Sequence, residues 1–283
     1  MTVRTYVDDA RSRVSAQREA AAARRDGYEA FLDSLEAVQT VQQAAQPGGL
    51  AADGGAPTAH GATTGQAGAP PTARAATSAG GVSERDTTTD GCAAVRSAFA
   101  ETVGPHADTD AESVLETLQT ELSESVALAL APTTEVSYTP AVERAVVSAA
   151  TRRQSETAAL CRALDRESDR LAAAAETVTA VIDWLTDADQ TRLPDLGFDA
   201  LRRHHETLGD HREQCSELAR TRQSFLRDTT SAGVDAGVRH RDLVESLYDD
   251  FAVDYPVLAT AATLDDTCRD CRRTVRRHLV RRV

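Results

Sequence analysis

Two pairs of side chains could do chemistry together. Cys268 and Cys271 stand three residues apart, and His211 and Cys215 stand four apart, each spacing placing both side chains on one face of a helix. Two thiolates from one helix, with a thiolate and an imidazole from another, would supply the donor set of a tetrahedral zinc site. Such a site would make the protein a metal- or thiol-dependent sensor. Zinc knuckles present their CxxC from a turn, however, and redox CxxC pairs occupy a helix N-terminus, where the helix dipole lowers the thiol pKa. Here Pro256 opens the helix about three turns before Cys268, so neither setting is met and buried core thiols are the favoured reading. No cofactor is expected.

A second anomaly follows directly. Arg269, Arg272, Arg273, Arg276, Arg277, Arg281 and Arg282 are opposed only by Asp270, so the last fifteen residues carry about +6 while the rest of the chain carries about −19. Arginines at a helix C-terminus complement the macrodipole, and a basic face can dock on the acidic body of its own chain. The same arginines could bind an anionic partner. An acidic protein fits better than nucleic acid, because stacking aromatics and a second basic element are missing from the sequence.

Other chemistries lack their parts. His204 and His205 have no Ser or Cys nucleophile in a recognisable context, and no histidine has Glu three residues before it, as a ferritin-like di-metal site would require. The sequence contains no Lys, which excludes a standard phosphate-binding loop and Schiff-base catalysis. Acidic pairs such as Asp249-Asp250 and Asp265-Asp266 are expected by chance in a chain with 44 acidic residues. The expectation is therefore not an enzyme.

The elements that would position these residues are helices. Val3, Val7, Ala10, Val14, Gln17, Ala21, Arg24, Tyr28, Phe31, Leu35, Val38, Gln42 and Ala45 alternate in steps of four and three, predicting a coiled-coil helix from Thr2 to about Gln46. Residues 47–90 hold nine of the sixteen glycines and only Leu50 and Val82 as large aliphatics, too little apolar surface to offset chain entropy; they read as a disordered linker. Cys92, Val95, Phe99 and Val103 mark a short helix ended by Gly104-Pro105. "DTDAESVLETLQTELSESVALALAP" predicts one helix capped by Asp/Thr and stopped at Pro132.

Thr139 as N-cap and Pro140 at the first turn begin a helix running to about Ala188, with the seam Val142, Val146, Ala149, Arg153, Glu156, Leu160, Ala163, Glu167, Arg170, Ala174, Thr177, Val181, Trp184. Its polar middle matches the polar middle of the first helix, so the two are expected to lie alongside each other. A further helix to about Thr229 carries Leu201, His204, Leu208, His211, Cys215, Leu218, Arg222 and Phe225. After the short "HRDLVESLYDDF" segment, the last helix carries Val257, Ala261, Leu264, Cys268, Cys271, Val275 and His278.

All 31 basic residues are Arg, aromatics make up only 4% and the net charge is −13. This composition suits a protein of an extremely halophilic cell, where salt screens acidic repulsion. No signal pattern or membrane-length apolar run is visible, so a soluble cytoplasmic protein is expected. The helix order, "RESDRLAAAAETVTAVIDWL", "LVESLYDDF", "YPVLATAATLDDTCRDC" and the terminal "VRRHLVRR" together resemble an uncharacterised haloarchaeal helical family, a domain of unknown function.

The fold expected is all-α: an elongated antiparallel helical bundle with coiled-coil character. It comprises a long N-terminal coiled-coil helix over 1–46, a linker over 47–90 and a helical bundle domain over 91–283. The expected role is a protein-interaction or regulatory scaffold, with a protein partner or self-association. The His/Cys sensor and a nucleic-acid-associated protein are the alternatives.

Overall fold

The computed structural model describes residues 5–38, 40, 86–107, 111–134, 136–227 and 240–282, with the side chains of 86–90, 240 and 241 excepted. Among the described residues the chain is all-α and contains no strand. The helices are α1 (Val7–Glu36), α2 (Asp86–Thr102), α3 (Val114–Glu121), α4 (Glu124–Leu130), α5 (Pro140–Asp189), α6 (Phe198–Arg227), α7 (His240–Leu247) and α8 (Pro256–Val280). Short 3-10 turns at Gly104–His106 and Leu193–Asp195 follow α2 and precede α6.

The longest element begins as its sequence dictates. The Thr139 hydroxyl accepts from the Val142 N–H, and Pro140 follows where a helix needs no donor. At 50 residues, α5 is about 75 Å long. It lies antiparallel along α1, with Arg18 paired to Asp165 at 2.7 Å. Because α5 meets different neighbours on adjacent sides, it buries Val146, Ala163, Glu167, Ala174 and Val181 of the expected stripe and, beside them, Ala150, Thr157, Ala159, Leu164, Leu171 and Val178.

Two hydrophobic cores share these two helices. One joins Val7, Ala10, Val14 and Ala21 of α1 to the C-terminal half of α5 and to α6, α7 and α8. The other joins Tyr28, Phe31 and Leu35 of α1 to α2, α3, α4 and the N-terminal half of α5. Phe31 meets Phe99 edge to face at 5.4 Å. Gly27 lets α2 approach, since a Cβ there would stand 2.6 Å from the Thr102 carbonyl oxygen.

Three boundaries differ from expectation. Helix α1 ends at Glu36, where the Val38 N–H turns back to the Leu35 carbonyl, and residues 41–46 lie outside the described ones. Most of the expected linker also lies outside them, but 86–90 are helical and belong to α2. The single helix expected before Pro132 is two: Ser113 caps α3 by accepting from the Glu116 N–H, and Ser123 caps α4 by accepting from the Val126 N–H. Serine at an N-cap competes with helix continuation, which explains the break. Arg153 then donates to the carbonyls of Thr120 and Glu121 at the end of α3.

Helices α6 and α8 form the other antiparallel pair. Arg212 makes a two-pronged ion pair with Asp265 at 3.0 and 3.3 Å, and the Tyr6 N–H donates to Thr260 at the start of α8. This pair sets the positions of the cysteines and the terminal arginines.

Candidate functional site

The antiparallel register brings Cys215 and Cys268 together on the buried seam between α6 and α8, both almost without exposure. Burial pushes the Cys215 thiol up to about 11, and burial followed by the charges of Cys215 and Cys271 pushes Cys268 up to about 12. Metal ligation needs thiolate, and these surroundings favour the neutral thiol. His211 is also buried: one ring nitrogen meets Gln214 at 3.0 Å and the other has no hydrogen-bond partner. Its ring lies 5.1 Å from Trp184. Among the described residues no group of three or more His, Cys, Asp or Glu side chains is arranged to hold a metal, so the four-ligand reading gains no support from the geometry. Cys271 is only partly buried and faces elsewhere, lining a cleft.

The seven terminal arginines divide by position. Arg269 pairs with Asp266 at 2.5 Å and Arg273 with Asp270 at 3.2 Å, both exposed contacts within the helix. Arg272 lies across α6 beside Gly209, and Arg282 donates to the Pro194 carbonyl. Arg276 and Arg281 are exposed, as is Arg277, which donates to Thr274. Burial followed by the charges of Arg272 and Arg276 lowers the His205 pKa, which places these arginines against the first turns of α6. Arg202 and Arg203 are exposed on those turns, and Arg192 is exposed just before them. The sequence shows no second contiguous basic element, but antiparallel packing brings these scattered arginines to the same end as the terminal ones.

Beside this basic end opens a cleft of 660 Å³ between the C-terminal end of α5 and the facing surfaces of α6 and α8. Its floor is apolar, built from Ile182, Leu185, Leu193, Leu208 and Val275. Trp184, the single tryptophan of the chain, stands in its wall with the His204 ring edge-on at 5.5 Å. Nothing in the sequence joined these residues, because three distant segments contribute them.

Two buried ionic clusters, one in each core, were legible only as charges on apolar seams. In the first, Arg222 donates two bonds to Glu167 at 2.7 and 2.8 Å, and the Tyr248 hydroxyl donates to the same carboxylate at 2.8 Å. In the second, the Tyr28 hydroxyl donates to Glu121 at 2.5 Å, with Arg153 at 3.5 Å. Burial and the adjacent carboxylate push both phenols upward. Apart from the half-buried Arg153, the groups of these clusters are buried and engaged with one another, and they hold helices together.

No helix among the described residues is long and apolar enough to cross a membrane. A family model described as a domain of unknown function, DUF7260, matches residues 5–272. No curated protein and no solved structure shows a significant match.

Proposed function

We propose, from the premise that the chain belongs to the DUF7260 family and receives no assigned chemistry from it, that it acts as a helical interaction scaffold whose docking surface is the basic end of the α6–α8 pair. The carrying observation is the convergence of Arg276, Arg277 and Arg281 with Arg203, Arg192 and Arg202, the last of which also pairs with Glu206 on its own helix, all exposed, on an otherwise strongly acidic chain. Exposed like charges on neighbouring turns repel one another, and an anionic partner relieves that repulsion. The partner class is an acidic protein surface. A second copy of the chain offers one, and light scattering across KCl concentrations reports whether copies associate.

The direct test is fluorescence anisotropy of labelled poly-L-glutamate and of a short labelled DNA duplex against the full chain and the R276E/R277E/R281E variant. Binding of polyglutamate that falls with KCl and drops at least tenfold in the variant is expected. Equal binding by the variant dismisses this surface. Retention of the duplex alone replaces the reading with a nucleic-acid one.

A further inference from the structure

We propose that the cleft between α5, α6 and α8 binds a small organic cation with an apolar body, an amine or amidinium carried on a compact ring or short chain. This goes beyond the docking reading, since the cleft opens beside the exposed arginines and shares only Arg192 with them.

The size is right for such a ligand: 660 Å³ falls within the range of small-molecule sites, and the apolar floor would take the hydrocarbon part. The polar wall has a definite chemical sense. Of the threonines that line it, Thr186, Thr263, Thr267 and Thr274 each donate their hydroxyl hydrogen to the backbone carbonyl four residues earlier. With those hydrogens used inside the helices, the oxygens keep lone pairs for the cleft, Thr274 having one of its own taken by Arg277. A wall of acceptors selects a ligand rich in donors.

Charge points the same way. Asp189, Asp266 and Asp270 line the cleft, and Asp189 and Asp270 both act on the Cys271 thiol, so carboxylates from α5 and α8 converge there. Asp266 and Asp270 meet Arg269 and Arg273, but those pairs are exposed and weak, so a ligand can compete. Helix α5 also directs its negative dipole end here: Thr186, Ala188 and Asp189 of its last turn line the cleft, and that turn contains no basic residue. Trp184 adds an aromatic wall against which a cation is attracted. Arg192 is the lining arginine and works against the ligand.

The single tryptophan makes the test direct. The full chain is titrated with 4-phenylbutylamine and, separately, with 4-phenylbutyrate of the same shape and opposite charge, following Trp184 emission and the heat of binding. Saturable binding of the amine is expected at roughly millimolar concentration, the range set by about a dozen heavy atoms. The acid should be at least tenfold weaker. D189N and D270N should each weaken the amine at least threefold, whereas R192A should tighten it. T267R, which places a bulky cation in the cleft on a helical surface that tolerates arginine, should abolish binding while far-UV circular dichroism stays unchanged. No saturable response to the amine, equal affinity for amine and acid, or unaltered binding by T267R would overturn the proposal.

Discussion

The Glu167 carboxylate is completely enclosed, with both oxygens held by Arg222 and one also by Tyr248. An ion removed from water must be matched locally, because the interior offers no solvent to replace a lost partner. Arg222→Met should therefore cost about 3–5 kcal/mol in urea-induced unfolding. Adding Glu167→Leu to that variant should recover most of the loss. If the double variant is as unstable as the single one, the charge is not the source of the cost. Tyr248→Phe should cost about 1.5–3 kcal/mol, the scale of one hydrogen bond to a charged group.

The thiols give a pH signature. Cys215 and Cys268 are held above their ordinary value of 9.0, to about 11 and about 12, so the folded state keeps protons that the unfolded state releases. Their contribution is fully present below about pH 9 and is lost as pH rises through 11 and 12. The raised phenols of Tyr28, Tyr138 and Tyr248 act in the same direction above pH 10. Thermal melts at pH 8, 9, 10 and 11 should show a falling Tm, with a shallower fall in C215A/C268A. At this scale the sequence was informative about place and silent about purpose: Glu167, Arg153 and Arg222 stand out as charges on seams, but Glu121 and Tyr248, which complete the clusters, follow no spacing that links them.

Among elements, the close crossing of α1 and α2 depends on a missing side chain. A Cβ at Gly27 would meet a backbone oxygen, which cannot rotate away as a side chain could. Gly27→Ala should therefore destabilise by about 1–3 kcal/mol despite alanine's better helix propensity, as read by denaturant titration. At the α3–α4 junction, Ser123→Ala removes the acceptor for the Val126 N–H and should cost about 1 kcal/mol. The helix interiors were legible because small aliphatics recur every three or four residues, and the start of α5 because Thr139 and Pro140 are unambiguous. The junction was less so: Ser123 sits within an uninterrupted apolar pattern, and only its hydrogen bond shows that the chain turns there. The cleft was invisible for a further reason, since its walls come from residues 182–193, 204–208 and 263–275 and meet only through the α6–α8 register.

Across the whole molecule, α1 and α5 run through both cores, so neither core can dissolve without removing a wall of the other. Unfolding should be one cooperative transition. Trp184 emission, which reports on the core around α6 and α8, should follow the same denaturant curve as far-UV circular dichroism, which reports on every helix; two separated midpoints would show that the cores melt independently. The long helices also explain why each core contains an ionic cluster. Alanine-rich surfaces are nearly alike from one turn to the next, and two such rods could slide by a heptad, about 10 Å, with little change in contact area. A slip of α1 would carry Tyr28 away from Glu121, and a slip of α6 along α5 would carry Arg222 away from Glu167, leaving a buried carboxylate short of a partner in either case. The misaligned assemblies are thereby raised far above the correct one, and a chain of interchangeable small residues arrives at a single alignment.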